Sequence, residues 1–297
     1  MFEYFKANSL FDRFLKRPDI DKAYAMVGPE DSWYDTITTV HNSLAEIRQF
    51  PHENWQIISH DGLKLVGLFY PGESDKTMIW VHGYTSHAER ESAFPALFYR
   101  SLGFNVLIPY LRTHGPSDGK YISFGALEAQ DLIGWVDRVN EVHPNGDIFI
   151  HGLSMGGGTV LYTCDQEMQN VRGLVVDAPS ISITGFFHGV TWGVYEKEPH
   201  KDKIEKHICK RFRKEFGVDA ADYDAFRIIQ SCKYPMLLSA GSFEEQDATL
   251  EELARNNPMD TKVLILPGCS HGNGMYKQTQ LYQNAIREFV SANSTVR

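Results

Sequence analysis

The sequence predicts an α/β fold: a mostly parallel, twisted sheet entered through an antiparallel hairpin, with helices on both faces. Three observations carry that prediction. Short, nearly continuous apolar runs recur along the chain, as strands buried on both faces of a parallel sheet require. Longer segments with helical apolar spacing lie between them. A serine among glycines, in Ile148-Phe-Ile-His-Gly-Leu-Ser-Met-Gly-Gly-Gly-Thr-Val-Leu-Tyr162, separates one such run from one such segment.

Taken in order, the Met1–Phe50 segment carries Phe2, Phe5, Leu10, Phe11, Phe14 and Leu15, too many large apolar groups for a free tail. It is expected to form helix packed on the domain or on a second subunit of a homo-oligomer. Trp55–His60 and Leu63–Tyr70 read as strands joined at Asp61-Gly62, a hairpin signal. The later strand candidates are Thr77–Val81, Phe104–Pro109, Asp147–His151, Val171–Val176, Met236–Ala240 and Lys262–Leu266. Leu127, Leu132, Trp135, Val136 and Val139 give one helix an apolar face; Leu281, Ile286, Phe289 and Val290 do so near the C-terminus. Alternation of this kind, after an antiparallel start, predicts one sheet within a single domain over residues 1–297.

One interval breaks the rhythm. From Ile181 to Cys232 no strand candidate occurs, and the segment 181–232 reads as an inserted helical cap. Phe186, Phe187, Trp192 and Tyr195 cluster early in it. The basic run Lys201–Lys214 follows, with Ile204, Ile208, Phe212 and Phe216 at every fourth position. That spacing buries one helical face and leaves the cations on solvated ones, a simpler reading than an anion site.

Composition bounds the function. A chain of 297 residues, 42% hydrophobic and 23% charged, can enclose a pocket. The formal net charge of −9 argues against nucleic acid or an anionic membrane as the main partner. Charges at Glu3, Lys6, Asp12, Arg13, Lys16 and Arg17 interrupt any signal-like apolar core in Met1–Asp19, and no window approaches the ~18 apolar residues of a membrane span. Cys164, Cys209, Cys232 and Cys269 are widely spaced, which indicates neither a zinc site nor a disulfide framework. The expected location is the cytoplasm.

The glycines around the serine carry the chemistry. Gly152-Leu-Ser-Met-Gly156 is a G-x-S-x-G sequence directly after a strand candidate and directly before a helix candidate, the context of a nucleophile elbow. Ser154 then needs a base, and the base an orienting acid. The chain order on such a fold is serine, acid, histidine. His271 follows the last strand candidate, in Pro267-Gly-Cys-Ser-His-Gly272, whereas His82, His114 and His151 sit at strand ends where structural hydrogen bonding is expected. The acid candidates past Met236–Ala240 are Glu244, Glu245 and Asp247. Asp177, at the end of an earlier strand, reads better as a structural carboxylate.

Together these pieces resemble the α/β-hydrolase superfamily, in its bacterial serine carboxylesterase-like branch with a short cap. The resemblance rests on Asp61-Gly-Leu-Lys-Leu65, Val81-His-Gly-Tyr-Thr85, Arg112-Thr-His-Gly-Pro-Ser-Asp-Gly119, Gly152-Leu-Ser-Met-Gly-Gly157 and Ser270-His-Gly272, which occur in the family's order from about Trp55 onward. It implies an α/β-hydrolase fold, an oxyanion hole from the backbone N–H groups of Tyr84 and Met155, and no metal or organic cofactor. The family's Gly-x-x-Asp register falls on Glu244 and favours it as the acid, with Asp247 read instead as a helix N-cap. Three departures stand out: Tyr110-Leu-Arg-Thr-His-Gly115 replaces the usual Asp-x-Arg-Gly-His-Gly, the acid position holds Glu244 instead of Asp, and the proline after the acid's turn is missing. The activity implied is hydrolysis of a small apolar or aromatic ester through an acyl-enzyme, with the cap aromatics lining the pocket. A small peptidase or thioesterase on the same site is one alternative. A catalytically silent binding protein is another, disfavoured by the survival of Ser154, His271 and an acid.

Overall fold

The computed structural model describes residues 2–19 and 31–296. Its strands are β1 (Glu53–Ile58), β2 (Lys64–Tyr70), β3 (Lys76–Val81), β4 (Asn105–Pro109), β5 (Asp147–Leu153), β6 (Val171–Asp177), β7 (Met236–Gly241) and β8 (Thr261–Leu266). They form one sheet in the order β1-β2-β4-β3-β5-β6-β7-β8. The β1–β2 and β2–β4 pairings are antiparallel and all later ones parallel, as the hairpin and the apolar runs predict. Among the described residues the helices are α1 (Phe2–Leu15), α2 (Ile37–Ile47), α3 (Ala88–Ser101), α4 (Ala126–Val142), α5 (Met155–Leu161), α6 (Ile183–Val194), α7 (Lys201–Phe216), α8 (Ala225–Ile228), α9 (Asp247–Asn256), α10 (Gly274–Lys277) and α11 (Thr279–Asn293).

The two-residue period of a strand divides the core into two layers. Met78 and Trp80 of β3 and Phe149 of β5 face one layer, together with α3 and α11. Ile79, Val81, Ile148 and Ile150 face the other, where Leu132, Trp135, Val136 and Val139 of α4 cover them. Each fully buried large side chain of this kind contributes roughly 1.5–3 kcal/mol. On α11 the buried face is Tyr282, Ile286, Phe289 and Val290, and the expected Leu281 is 43% exposed. The reason is angular: Leu281 lies five residues before Ile286, roughly 140° around the helix.

Residues 181–232 run between β6 and β7 and carry α6, α7 and α8. Ile204, Ile208 and Phe212 of α7 are buried and Phe216 half-buried, while Lys203, Lys206, Lys210, Arg213 and Lys214 are exposed. Helix α1 packs on α7. Ala7, Leu10, Phe11 and Leu15 recur on its inner face and are buried, and Phe14 is half-buried. Phe5, expected among the packed groups, points outward and is 64% exposed. The side chain of Phe2 and residues 20–30 lie outside the described residues. Arg211 of α7 ties the two helices by donating to the Asn8 carbonyl at 2.9 Å and to Asp12 at 2.5 Å. Beyond α1, Arg17 donates to the carbonyls of Ser117 and Gly115 at 2.7 and 2.6 Å.

The departing Tyr110–Gly115 loop is anchored by charge. Arg112, with a side chain 3% exposed, bonds Asp131 from two nitrogens at 2.7 Å and reaches Asp61 in the hairpin turn at 2.9 Å. Burial pushes the Asp61 carboxyl up, but the bonds from Arg112 and Ser59 outweigh it and hold it down at about 2. The histidines at strand ends are structural. His82 accepts the Leu111 N–H at 3.1 Å, and the His151 ring is bound by the hydroxyls of Tyr99 and Tyr282 at 2.8 and 3.0 Å. His114 packs edge-on against His82, with ring centroids 4.6 Å apart.

Candidate active site

The parallel strands deliver their C-terminal ends to one edge of the sheet, where their loops converge. At the end of β5 the chain turns sharply into α5, and Ser154 holds the turn at φ 58° and ψ −117°. A non-glycine residue in such a conformation costs on the order of 1–3 kcal/mol. The surrounding glycines make the turn possible. A Cβ on Gly152 would collide with the Gly156 carbonyl, and one on Gly156 with the Val81 carbonyl of β3. The turn is pinned on both sides, since the Ser154 N–H donates to the Asp177 carbonyl at 2.9 Å and the Ser180 N–H to the Ser154 carbonyl at 3.0 Å.

Two loops bring partners to this serine. His271, in the loop between β8 and α10, sets Nε2 2.8 Å from Ser154 Oγ. Its Nδ1 lies 2.5 Å from Oε2 of Glu244, in the 3₁₀ turn Ser242–Glu244 after β7. The other Glu244 oxygen accepts the Gly241 N–H at 2.8 Å, so the carboxylate cannot swing away from the ring. In this arrangement Nδ1–H donates to the carboxylate and Nε2 accepts the serine hydroxyl. The hydrogen bond from Glu244 raises the His271 pKa above its ordinary value against the opposing effect of burial, with the Glu244 charge adding to the rise. The carboxylate is nearly buried at 7% exposure while the ring is 56% exposed, leaving the ring open toward the cleft.

The other acid candidates are elsewhere. Glu245 is exposed and sits in the left-handed region at φ 55°. Asp247 is also exposed; it is the first residue of α9 rather than its N-cap, a position that falls to Gln246 with no side-chain cap bond. Asp177 is 2% exposed and accepts hydroxyl hydrogen bonds from Ser239 and Tyr282, each at 3.0 Å. Burial pushes its carboxyl up to about 6.

Facing Ser154 is the Gly83-Tyr84-Thr85 turn after β3. Both oxygens of Glu91 accept the Gly83 N–H, at 3.0 and 3.1 Å, and Oε1 also takes the Trp80 indole N–H at 3.3 Å. Burial pushes the Glu91 carboxyl up to about 7 despite these donors. The Tyr84 hydroxyl is used as well, donating to the Phe14 carbonyl of α1 at 2.5 Å.

An open cleft of about 680 Å³ adjoins the serine, lined by Ser154, His271, Tyr84, Leu153 and Glu91 and walled by Trp33, Ile37, Val40 and Tyr276. No residue of 181–232 lines it, which corrects the expectation for the cap aromatics. Their rings are engaged with one another and with the body. Phe186 stacks on Phe124 at 3.7 Å and touches Tyr84 and Phe14, Phe187 packs on Phe212, and Trp192 stacks on His188. Two contributors escaped sequence reasoning. Glu91 carried a faint signal, an acid in the first turn of the helix after the His-Gly turn, whereas the 31–41 wall carried none. Among the described residues one cluster has metal-ligand spacing, His60, Asp61 and Asp131, and Arg112 already bridges both of its carboxylates.

Comparisons with known proteins bear on the fold. A family model described as serine aminopeptidase, S33, matches residues 72–198, a span that contains Ser154 but ends before Glu244 and His271. The uncharacterized protein YqkD of Bacillus subtilis is 40% identical over 123 residues, 41% of this chain and 40% of that protein. The chain thus spans less than half the length of the curated relatives it matches. The structure of the esterase Pf2001 of Pyrococcus furiosus superposes with a TM-score of 0.65 at 24% identity, over 84% of this chain and 94% of that one. An α/β hydrolase of Vibrio vulnificus superposes with a TM-score of 0.64 at 20% identity, over 96% and 92%. The chain has the α/β-hydrolase fold, and its residues 72–198 match the serine aminopeptidase family model. The family match and the esterase neighbours together support a hydrolase.

Proposed function

We propose that this protein is a serine hydrolase that cleaves carboxylic esters through an acyl-enzyme. The observation carrying the proposal is the continuous relay Ser154–His271–Glu244, with links of 2.8 and 2.5 Å beside an open cleft. Ser154 Oγ attacks the ester carbonyl carbon while His271 Nε2 takes its proton, and Glu244 stabilises the resulting imidazolium. The oxyanion is received by the backbone N–H groups of Tyr84 and Met155, the latter at the N-terminus of α5, where negative charge is favoured. His271 then returns the proton to the leaving alcohol. Water, activated by the same nitrogen, releases the acid product.

A second reading, a small aminopeptidase, is favoured by the description of the matching family model and by the carboxylates Asp31 and Glu91 in the cleft, which suit an ammonium group. A fluorophosphonate probe, which reacts only with an activated serine, tests the shared nucleophile: wild type is expected to label and Ser154→Ala not to. A panel of p-nitrophenyl esters beside aminoacyl anilides then separates the two substrates. Turnover confined to the anilides would overturn the esterase reading.

A further inference from the structure

Resting on the esterase reading, we infer that the specificity pocket is built by the N-terminal 31–41 segment instead of the cap, and that it takes a single uncharged apolar group of the ester. The cleft beside Ser154 has the size of small-molecule sites, and its apolar lining is Trp33, Ile37, Val40, Leu153 and Tyr276. Ile37 and Val40 lie three residues apart on α2 and so share a face. Both are half-buried, leaving apolar surface free toward the cleft.

The wall is fastened to the reaction centre. The Trp33 indole N–H donates to the His271 carbonyl at 3.2 Å, and its ring meets Tyr276 edge-on at 5.5 Å. Asn273, two residues past His271, donates to the Ser32 carbonyl at 3.0 Å. Trp33 is thereby held in one posture over the histidine loop, so the apolar surface it presents is pre-formed. The polar groups Asp31, His41 and Arg90 also border the cleft. With apolar groups forming the wall, an alkyl or aryl substituent gains by burial, whereas a charged one would lose hydration.

The test narrows the cleft from this wall. Ile37→Trp and, independently, Val40→Trp are assayed with p-nitrophenyl acetate, butyrate and hexanoate to vary the acyl group, and with ethyl to hexyl acetates to vary the alcohol. The long-to-short ratio of kcat/KM is expected to fall about tenfold or more in one series, the lower bound of what an apolar pocket discriminates per methylene. The responding series identifies which half of the ester enters. Trp192→Ala, in the cap, is expected to keep both ratios within about twofold of wild type. Unchanged ratios in both tryptophan variants, or a shift in Trp192→Ala, would overturn the inference. Calorimetric binding of the hexanoate ester to Ser154→Ala protein reads the same pocket without turnover. If wild type hydrolyses no ester but Ile37→Trp still weakens that binding, the esterase reading fails and the pocket stands. If esters turn over while neither binding nor ratio responds, the pocket fails and the esterase stands.

Discussion

Replacing Glu244 by glutamine changes one atom type and removes one charge, and the structure dictates how that is felt. The carboxylate uses Oε1 for the Gly241 N–H and Oε2 for His271 Nδ1. Glutamine has one oxygen for these two donors. If it stays on Gly241, the amide N–H₂ faces His271 and forces the opposite tautomer, with a hydrogen on Nε2 where the serine proton must go. If it turns to His271, the Gly241 N–H is left without its acceptor. In either case the charge that would stabilise an imidazolium in the proposed mechanism is gone. An equivalent exchange in a serine protease triad costs about 10⁴ in kcat, or about 5 kcal/mol of transition-state stabilisation. The same carboxylate raises the His271 pKa, so the acidic limb of kcat/KM in wild type is expected above the ordinary histidine value and should move to lower pH in the variant. The assay is p-nitrophenyl acetate hydrolysis across pH 5 to about 9, beside a thermal melt to verify folding. Asp247→Asn, on the exposed first residue of α9, should behave as wild type. A Glu244→Gln enzyme within tenfold of wild-type kcat, with an unmoved limb, would refute the reasoning.

Ser154→Ala should fold normally and lose on the order of 10⁶ in kcat; retention of a few per cent of wild-type activity would remove the serine from its role. Gly156→Ala should destabilise by about 3 kcal/mol or more, because the new Cβ meets the Val81 carbonyl of a central strand, and urea unfolding reads it directly. Burial pushes the Asp147 carboxyl up, but donors from Thr295, Val296, Arg172 and Ser294 outweigh it and hold it well below its usual range. Its contribution is therefore present above the unfolded-state value of about 3.9 and is lost as pH falls through the lower folded value. Asp147→Asn should cost at least about 2 kcal/mol near neutral pH, and the gap to wild type should narrow below about pH 4; a gap independent of pH would exclude this origin.

Some of this molecule is legible in its sequence because the relevant physics is local. The runs at Thr77–Val81 and Asp147–His151 announce buried strands since both faces need apolar groups, and β3 and β5 follow them within two residues. The glycines flanking Ser154 point to a backbone conflict that only a missing Cβ relieves. The register that favours Glu244 comes from the family resemblance, and the turn after β7 sets that side chain beside His271. What could not be read is long-range. Trp33 meets a backbone carbonyl 238 positions away, and no periodicity encodes that. Phe186 is aromatic whether it lines a cleft or stacks on Phe124, and composition alone favoured the wrong choice. Leu281 fits an apolar pattern by type and misses it by angle.

The bond between the Trp33 indole and the His271 carbonyl also bears on how the chain assembles. Ser154 and His271 are 117 residues apart, and the indole comes from 238 residues away, so the centre joins three distant stretches of chain. Such non-local closures are late events, because loop entropy must be lost before their contacts form. Helices and individual strand pairs can form while the centre is still open. On the proposed mechanism, catalytic competence would be a signature of finished assembly, and a chain arrested before its last strand and the 31–41 segment dock would carry the serine without its partners.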